Sequence, residues 1–224
     1  IRKLLRSERF DAVVARSTLP AIATMRAVKH GGIPLVFDAD GLPIDERVEF
    51  TGRKPSSLII RVLRDAEYQI LARARTVLVR TEAAREIMIA RAGSPVDPSK
   101  FHIVLNGRDQ AMFTPLDETR RYEVRQQLQV DKSALLLIYV GSLGPQYGLA
   151  DMLRLTEAVR DFDPRVRLLF VTATPDRAMA TVAAEFPSLA EAVIAISADP
   201  NDVPRYLAAA DIGLAFRAKS FSMR

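Results

Sequence analysis

The sequence contains no cysteine and no tryptophan, and its two histidines are His30 and His102. Without cysteine the chain can form neither a disulfide framework nor a thiolate zinc site, and nothing in it requires an oxidising compartment. Each histidine stands alone in the sequence, which favours a structural role over a metal-binding or catalytic one. No apolar run approaches the roughly 18 residues that a membrane-spanning helix needs.

Charge is unevenly distributed along the chain. The net charge is +5, and the whole excess lies in residues 1–117, which hold 19 basic and 14 acidic residues. This basic first half of the chain could bind nucleic acid, could face an anionic membrane, or could simply be a solvated surface. Nucleic acid is the least favoured of these, because no aromatic residues interleave with the basic ones and no reading helix is recognisable.

Apolar and helical patterns alternate over the whole chain. Strands are predicted at residues 12–15, 33–37, 76–79, 102–105, 135–140, 167–172, 193–196 and 212–216. Helices are predicted between most of them, at residues 20–28, 56–74, 82–92, 149–160, 176–185 and 202–210. This alternation is typical of parallel sheets covered by helices, since parallel strands need crossover connections. We predict two Rossmann-like domains, residues 1–117 and 118–224, that face each other across a ligand-binding cleft.

The loop after residues 135–140 is the strongest candidate for a binding site. It begins with Gly141, Ser142, Leu143 and Gly144 and leads toward a helix near residue 149. Free N–H groups and the positive end of the helix dipole would make it a phosphate cradle. Glycines after a strand are also common turn residues, and the spacing is not the G-x-G-x-x-G dinucleotide fingerprint. Spacing alone leaves both interpretations open.

Five segments in order resemble a family 4 glycosyltransferase of the GT-B fold. They are PLVFDADG, ARTVLVRTEAAREI, HIVLNGRDQAMFTP, YVGSLGPQYGL and DVPRYLAAADIGLAF. Within the third, Asn106–Asp109 with Phe113 and Pro115 is similar to the family's Asn-Gly-Val-Asp…Phe-x-Pro. In the last, AADIGLAF is similar to its Ala-Asp-Ile strand. The resemblance extends over nearly the whole chain.

This resemblance implies an enzyme that moves a sugar from a nucleotide-sugar to an acceptor with retention of configuration. It implies no cofactor and no obligatory metal, a donor held against the second domain and an acceptor held against the first. We expect a polysaccharide or lipid-linked acceptor of the cell envelope, a cytoplasmic location with peripheral contact to the inner membrane face as an alternative, and no nucleic-acid partner.

Two departures from the family pattern qualify these expectations. Where many members have Arg and Lys in a Gly-Arg-Leu…Lys-Gly loop, this sequence has Ser142 and Tyr147. Phosphate binding would then rest on backbone N–H groups, the Ser142 hydroxyl and the helix dipole. The sequence also ends before the family's Lys and Glu-x7-Glu and begins after its first strand. We therefore expect a central fragment, inactive by itself.

The replacement of the family's Arg and Lys by Ser142 and Tyr147 also suits a non-catalytic GT-B relative. The alternative function is therefore nucleotide-sugar binding or regulation without transfer. A nucleotide-cofactor oxidoreductase is a third hypothesis. It is disfavoured because the G-x-G-x-x-G fingerprint is missing and the second half is too similar to the first.

On the acceptor side, the candidates are Arg16, Ser17, Asp38 and Asp40, which follow two predicted strands. Either carboxylate could accept a hydrogen bond from an acceptor hydroxyl, or could form an Asx turn before Gly41. Arg16 could bind an acceptor phosphate or remain solvated. The segment 56–74 mixes apolar residues with arginines, which fits either an amphipathic core helix or docking on an anionic membrane.

Overall fold

The computed structural model describes residues 1–28 and 32–223, so His30 lies outside the described residues. The chain divides into two compact units. Unit 1 comprises Ile1–Gly107 together with Lys219–Arg224, and unit 2 comprises Arg108–Ala218. The sequence placed the division near residue 117, whereas the contacts place it at residue 107. The final segment belongs to unit 1, where the backbone N–H of Phe221 donates to Glu49 at 2.9 Å.

Unit 1 is a parallel four-stranded sheet with strand order β1-β2-β3-β4. Its strands are β1 (Val13–Arg16), β2 (Leu35–Asp38), β3 (Thr76–Val79) and β4 (Phe101–Ile103). Its helices are α1 (Arg2–Ser7), α2 (Thr18–Val28), α3 (Pro43–Phe50), α4 (Leu58–Arg73) and α5 (Glu82–Ala92). His102 is exposed on the edge strand β4.

Unit 2 is a second parallel four-stranded sheet, with strand order β7-β6-β5-β8. Its strands are β5 (Leu136–Val140), β6 (Arg167–Val171), β7 (Val193–Ile196) and β8 (Ile212–Gly213). Its helices are α6 (Glu118–Gln127), α7 (Leu149–Arg160), α8 (Pro175–Glu185) and α9 (Val203–Ala209). The predicted α/β class with two parallel sheets is confirmed.

Two helices occur in stretches where the sequence predicted neither helix nor strand. Helix α3 lies within the stretch 38–55 and begins at a proline with two acidic residues in its first turn. Helix α6 lies within the polar stretch 114–131, and the Asp117 side chain caps it by accepting from the Arg120 N–H at 2.8 Å. Both are short and mostly polar, so apolar periodicity did not reveal them. Their starts follow ordinary capping chemistry.

Strand β5 is buried on both faces, as its continuous apolar sequence predicts. Leu137 and Tyr139 pack on one face of the sheet with Leu153 of α7. Leu136 and Ile138 pack on the other face, because alternate side chains of a strand point in opposite directions. The core therefore fixes β5 at the middle of the sheet, and its carboxyl end opens into the glycine-rich loop.

An ion pair joins α6 to the start of β5 and β8. The Arg125 side chain is 3% exposed and donates to Asp211 at 2.6 Å and to the Ala134 carbonyl at 2.9 Å. Asp211 also accepts from the backbone N–H of Leu136 at 2.7 Å. Asp211 is the acidic residue of the Ala-Asp-Ile segment, so the structure assigns that motif a structural role.

The same contacts set the pKa of Asp211. Burial raises this pKa, but the hydrogen bonds from Leu136, Arg125 and Arg121 lower it by more, so the net shift is downward. A carboxyl whose pKa is lower in the folded state stabilises the fold above its unfolded pKa of about 3.9. That stabilisation is lost as the pH falls through the folded-state pKa.

We predict that Asp211→Asn lowers the free energy of unfolding by about 3 kcal/mol at neutral pH, because it leaves the buried Arg125 guanidinium without its carboxylate. The difference from wild type should shrink below about pH 4. Urea titrations across this pH range measure both effects. Asp202→Asn, which affects an exposed ion pair with Arg205 on α9, is the control and should cost less than about 1 kcal/mol. Equal effects of the two substitutions would contradict the prediction.

Candidate functional site

The loop after β5, residues 141–148, begins with a conformation that requires glycine. Gly141 has φ of 151°, and a Cβ placed there would lie 3.0 Å from the Tyr139 hydroxyl oxygen. The Gly141 N–H donates to the Val171 carbonyl at 3.0 Å, which ties the start of this glycine loop to the end of β6. Gly144 has φ of −64°, an ordinary value, so its backbone does not itself require glycine.

Tyr139 fixes the orientation of the peptide group between Ser142 and Leu143. Its hydroxyl donates to the Ser142 carbonyl at 2.7 Å. Burial, followed by the neighbouring Tyr147, raises the pKa of Tyr139 against the opposing effect of Arg217, so the phenol stays protonated and keeps this donor at neutral pH. Because a trans peptide holds its C=O and N–H in opposite directions, the N–H of Leu143 points away from the Tyr139 hydroxyl. The Leu143 side chain is buried in the core and anchors the loop.

Three successive N–H groups in the glycine loop, those of Ser142, Leu143 and Gly144, donate to no protein acceptor among the described residues. Ser142 is exposed and Gly144 is half-buried, whereas Leu143 between them is 2% exposed. Consecutive N–H groups without protein acceptors can form an anion-binding concavity. The four residues predicted to bind a phosphate thus lie in one turn, to which Leu143 would contribute only its backbone.

The glycine loop does not lead directly into helix α7. A 3-10 turn at Pro145–Tyr147 intervenes, and Gly148 then adopts a left-handed conformation with φ of 60°. The first turn of α7 already holds Asp151, which pairs with Arg154 at 2.7 Å. This carboxylate offsets the positive end of the helix dipole. An anion in the loop would therefore depend mainly on the loop itself.

A cavity of about 250 Å³ lies against the glycine loop. It is lined by Tyr139, Val140, Gly141, Ser142, Tyr147, Leu214, Ala215, Phe216 and Arg217. Arg217 follows β8, and its guanidinium carbon lies 4.7 Å from the centre of the Tyr147 ring. Sequence reasoning missed this cation, since no local motif links it to a loop some seventy residues earlier.

The acceptor-side candidates of unit 1 form an arginine–aspartate cluster, defined here as Arg16, Asp38, Asp40 and Arg80. Both oxygens of Asp38 accept from one Arg80 nitrogen at 2.8 Å. Asp40 accepts from Arg16 at 2.8 Å and from Arg80 at 3.4 Å. Arg80, which also donates to the Val104 carbonyl at 2.9 Å, was not predicted. The ends of all four strands thus meet in one cluster.

Backbone strain accompanies this cluster. Ser17 has φ of 66° and Asp40 has φ of 51°, left-handed values that are uncommon for residues other than glycine. The Ser17 N–H donates to the Asp38 carbonyl at 2.8 Å, which ties the ends of β1 and β2 together. Beside it, the buried Thr18 hydroxyl has no partner among the described residues. Strained residues of this kind concentrate at functional sites.

The pairing changes what each side chain can do. The carboxylates of Asp38 and Asp40 bind arginines, so the structure favours neither as an Asx-turn residue. Asp38 is largely enclosed by Arg80, whereas Asp40 and Arg16 remain partly open to solvent. Opposite charges cancel within the cluster, so it presents paired hydrogen-bonding groups rather than an unopposed charge. Hydroxyl groups of a sugar suit such a surface.

The part of the chain that the structure describes contains neither a cluster of metal ligands nor a membrane-spanning helix. Within residues 1–28 and 32–223 there is no group of three or more side chains that could hold a metal ion. Among the same residues, no helix has the length and apolar character needed to cross a membrane.

The first part of the chain is similar to a known protein family. Residues 1–107 match the model of the glycosyl transferase 4-like domain. This range coincides with the main segment of unit 1, so family and structure agree on where the unit ends.

A curated relative extends the similarity into unit 2. The D-inositol 3-phosphate glycosyltransferase of Actinosynnema mirum is 27% identical over 158 residues, which are 70% of this chain and 36% of the relative. The alpha-maltose-1-phosphate synthase of Mycolicibacterium smegmatis is 30% identical over 88 residues, or 39% of this chain and 22% of that enzyme. The chain thus matches about a third or less of the length of each.

Solved structures show the same fold over both units. HepE of Anabaena, crystallised in complex with UDP and glucose, superposes with a TM-score of 0.71 at 16% identity, covering 93% of this chain and 53% of HepE. WaaG, a glycosyltransferase involved in lipopolysaccharide biosynthesis, gives a TM-score of 0.68 at 18% identity, covering 95% of this chain and 55% of WaaG. These likenesses confirm the predicted GT-B fold class.

Proposed function

We propose that the protein transfers a sugar from a nucleoside-diphosphate sugar to an acceptor, because residues 1–107 match the glycosyl transferase 4-like domain. The finer proposal keeps the expected retention of configuration and a polysaccharide or lipid-linked acceptor. Its support is the family of unit 1, the names of the curated relatives and the backbone of the glycine loop. The chain spans only part of its relatives, so each statement about activity is a proposal.

The observation that carries the proposal is the set of N–H groups at Ser142, Leu143 and Gly144 that have no protein acceptor among the described residues. They lie at the carboxyl end of a central parallel strand, where open α/β sheets bind ligands. A diphosphate would accept these hydrogen bonds, and they would strengthen as charge builds on the departing phosphate. Such stabilisation needs no metal ion, so we propose a reaction without an obligatory metal or cofactor.

A non-catalytic relative is the alternative function. It would bind nucleotide-sugars through the same loop but would not transfer the sugar. Measured transfer therefore separates the two functions, whereas binding alone tests the donor site that both share.

We predict that UDP binds this chain more tightly than uridine does, since the loop recognises phosphate. Gly141→Ala should weaken UDP binding about tenfold, because the strained φ and the contact with Tyr139 force the loop to shift. Gly107→Ala, outside the glycine loop, is the matched control and should change binding little, since its added Cβ meets no atom within 4 Å. Isothermal titration calorimetry measures these affinities. No binding of UDP up to millimolar concentration would refute the donor site.

For the acceptor, we propose the arginine–aspartate cluster of unit 1 together with Ser17. The partly open Asp40 carboxylate is the group best placed to accept a hydrogen bond from an acceptor hydroxyl. Arg16 beside it would contact an acceptor phosphate if one is present. Asp38 and Arg80 would hold these two groups in position.

We predict that Asp40→Asn, introduced into the complete enzyme, lowers acceptor-dependent release of UDP from a UDP-sugar about tenfold, while UDP affinity stays unchanged. The amide keeps the shape of the side chain but loses the charge that binds Arg16 and the acceptor. Asp65→Asn on the exposed face of α4 is the control and should transfer at the wild-type rate. Transfer by Asp40→Asn at the wild-type rate would remove this residue from the acceptor site.

We also propose a cytoplasmic protein that contacts the inner membrane face through the start of α4. Leu58, Ile59 and Val62 are exposed there by 76%, 43% and 55%. The exposed Arg61 accompanies them, with Arg53 and Lys54 just before the helix. Apolar side chains flanked by basic ones suit anionic lipid headgroups. Arg64 does not belong to this face, because it pairs with Asp45 and Glu67 inside unit 1.

We predict that the chain sediments with phosphatidylglycerol-containing vesicles and not with pure phosphatidylcholine vesicles. Leu58→Asp together with Val62→Asp should reduce this binding at least about tenfold, since both apolar contacts are lost and negative charge is added. Phe162→Asp, which changes a 92% exposed apolar residue of unit 2, is the control. Equal losses in both proteins, or no preference for anionic lipid, would contradict the proposed face.

A further inference from the structure

We propose that Arg217 supplies the positive charge that binds the donor's diphosphate, in place of the Arg and Lys that the glycine loop lacks. The inference rests on the proposed function, because it assigns a residue to the same donor site. It concerns recognition of the second phosphate, which neutral N–H groups alone would bind weakly. A guanidinium adds charge-assisted hydrogen bonds, which are about twice as strong as neutral ones.

Arg217 lies next to the glycine loop. Arg217 lines the cavity beside the glycine loop, together with Gly141 and Ser142. The segment that carries it is fixed on both sides. The Leu214 N–H donates to the Ile138 carbonyl of β5 at 2.7 Å, and the Ala218 N–H donates to the Gln146 carbonyl at 2.9 Å. The backbone therefore holds Arg217 against the loop.

No acidic side chain among the described residues competes for Arg217. No described carboxylate lies within salt-bridge distance of Arg217, and it donates no hydrogen bond to any other described residue. Arg154 on the neighbouring helix is by contrast already paired with Asp151. Arg217 is also the one charged side chain among the residues that line this cavity. An incoming diphosphate would not have to break an ion pair to reach it.

The Arg217 guanidinium packs against the Tyr147 ring. Its central carbon lies 4.7 Å from the Tyr147 ring centre, within the range of a cation–π contact. This contact limits the positions open to an otherwise exposed side chain, so less entropy is lost when it binds phosphate. Tyr147 occupies the position where family members have lysine. In this chain the residue at that position is not itself a cation, but its aromatic ring holds the Arg217 guanidinium in place. Tyr147 is therefore a positioning residue.

If Arg217 binds phosphate, its contribution to affinity should increase with the number of phosphates on the ligand. The affinity of uridine should not depend on Arg217, that of UMP should depend on it weakly, and that of UDP should depend on it most. The dependence should also weaken as salt rises, because the contact is exposed to solvent.

The test is calorimetric titration of the full 224-residue chain with UDP, UMP and uridine. We expect Arg217→Gln to lower UDP affinity about tenfold and leave uridine affinity unchanged. Arg217→Lys should fall between, because it keeps the charge and loses the planar pair of donors. Tyr147→Leu should lower UDP affinity about threefold, whereas Tyr147→Phe, which keeps the aromatic ring, should leave it almost unchanged. Arg154→Gln is the matched control for a lost positive charge and should match wild type.

The outcomes separate this inference from the function it rests on. If wild type binds UDP and Arg217→Gln binds it equally well, the inference is overturned and the donor site remains. If Arg154→Gln loses as much affinity as Arg217→Gln, the effect is one of general charge and the inference is likewise overturned. If Arg217→Gln lowers the affinities for uridine and UDP equally, Arg217 stabilises the cavity and does not bind the phosphate, and the inference is overturned. If wild type binds no UDP, the donor site fails, and the role of Arg217 fails with it.

Discussion

The pairing of β5 with a strand on each side is the constraint on which the candidate donor site depends. Pairing with β6 continues into the hydrogen bond from Gly141 to Val171, which sets where the glycine loop begins. Pairing with β8 continues into the bond from Leu214 to Ile138, which directs the following segment along the same cavity. The loop and Arg217 therefore meet because the loop follows β5 and Arg217 follows β8, which is paired with β5 in the sheet.

The two units use the carboxyl ends of their strands differently. In unit 1 the side chains at these ends pair with one another in the arginine–aspartate cluster, so little net charge is offered. Among the described residues of unit 2, the glycine loop has N–H groups without protein acceptors, and the neighbouring Arg217 has no carboxylate partner. Paired polar groups suit an uncharged sugar, whereas unpaired donors suit an anion. This contrast is the physical basis for the proposal that unit 2 binds the donor and unit 1 the acceptor.

Much of the fold could be predicted because it is recorded in local patterns. The apolar run of β5, the periodicity of α7 and the glycines between them predicted a strand, a loop and a helix. Helices α3 and α6 were missed because their polar sequences carry no apolar repeat. The site was less predictable. Asp38 and Asp40 follow a strand and could be identified, but Arg80 and Arg217 reach their clusters through sheet pairing between distant segments. Pairing between distant segments is not visible as a local sequence motif.

Determination of a crystal structure of the chain with UDP would test the account most directly. The account predicts phosphate oxygens within about 3 Å of the N–H groups of Ser142, Leu143 and Gly144, with the Arg217 guanidinium on the second phosphate. Well-defined UDP bound elsewhere, with these N–H groups facing only solvent, would contradict it.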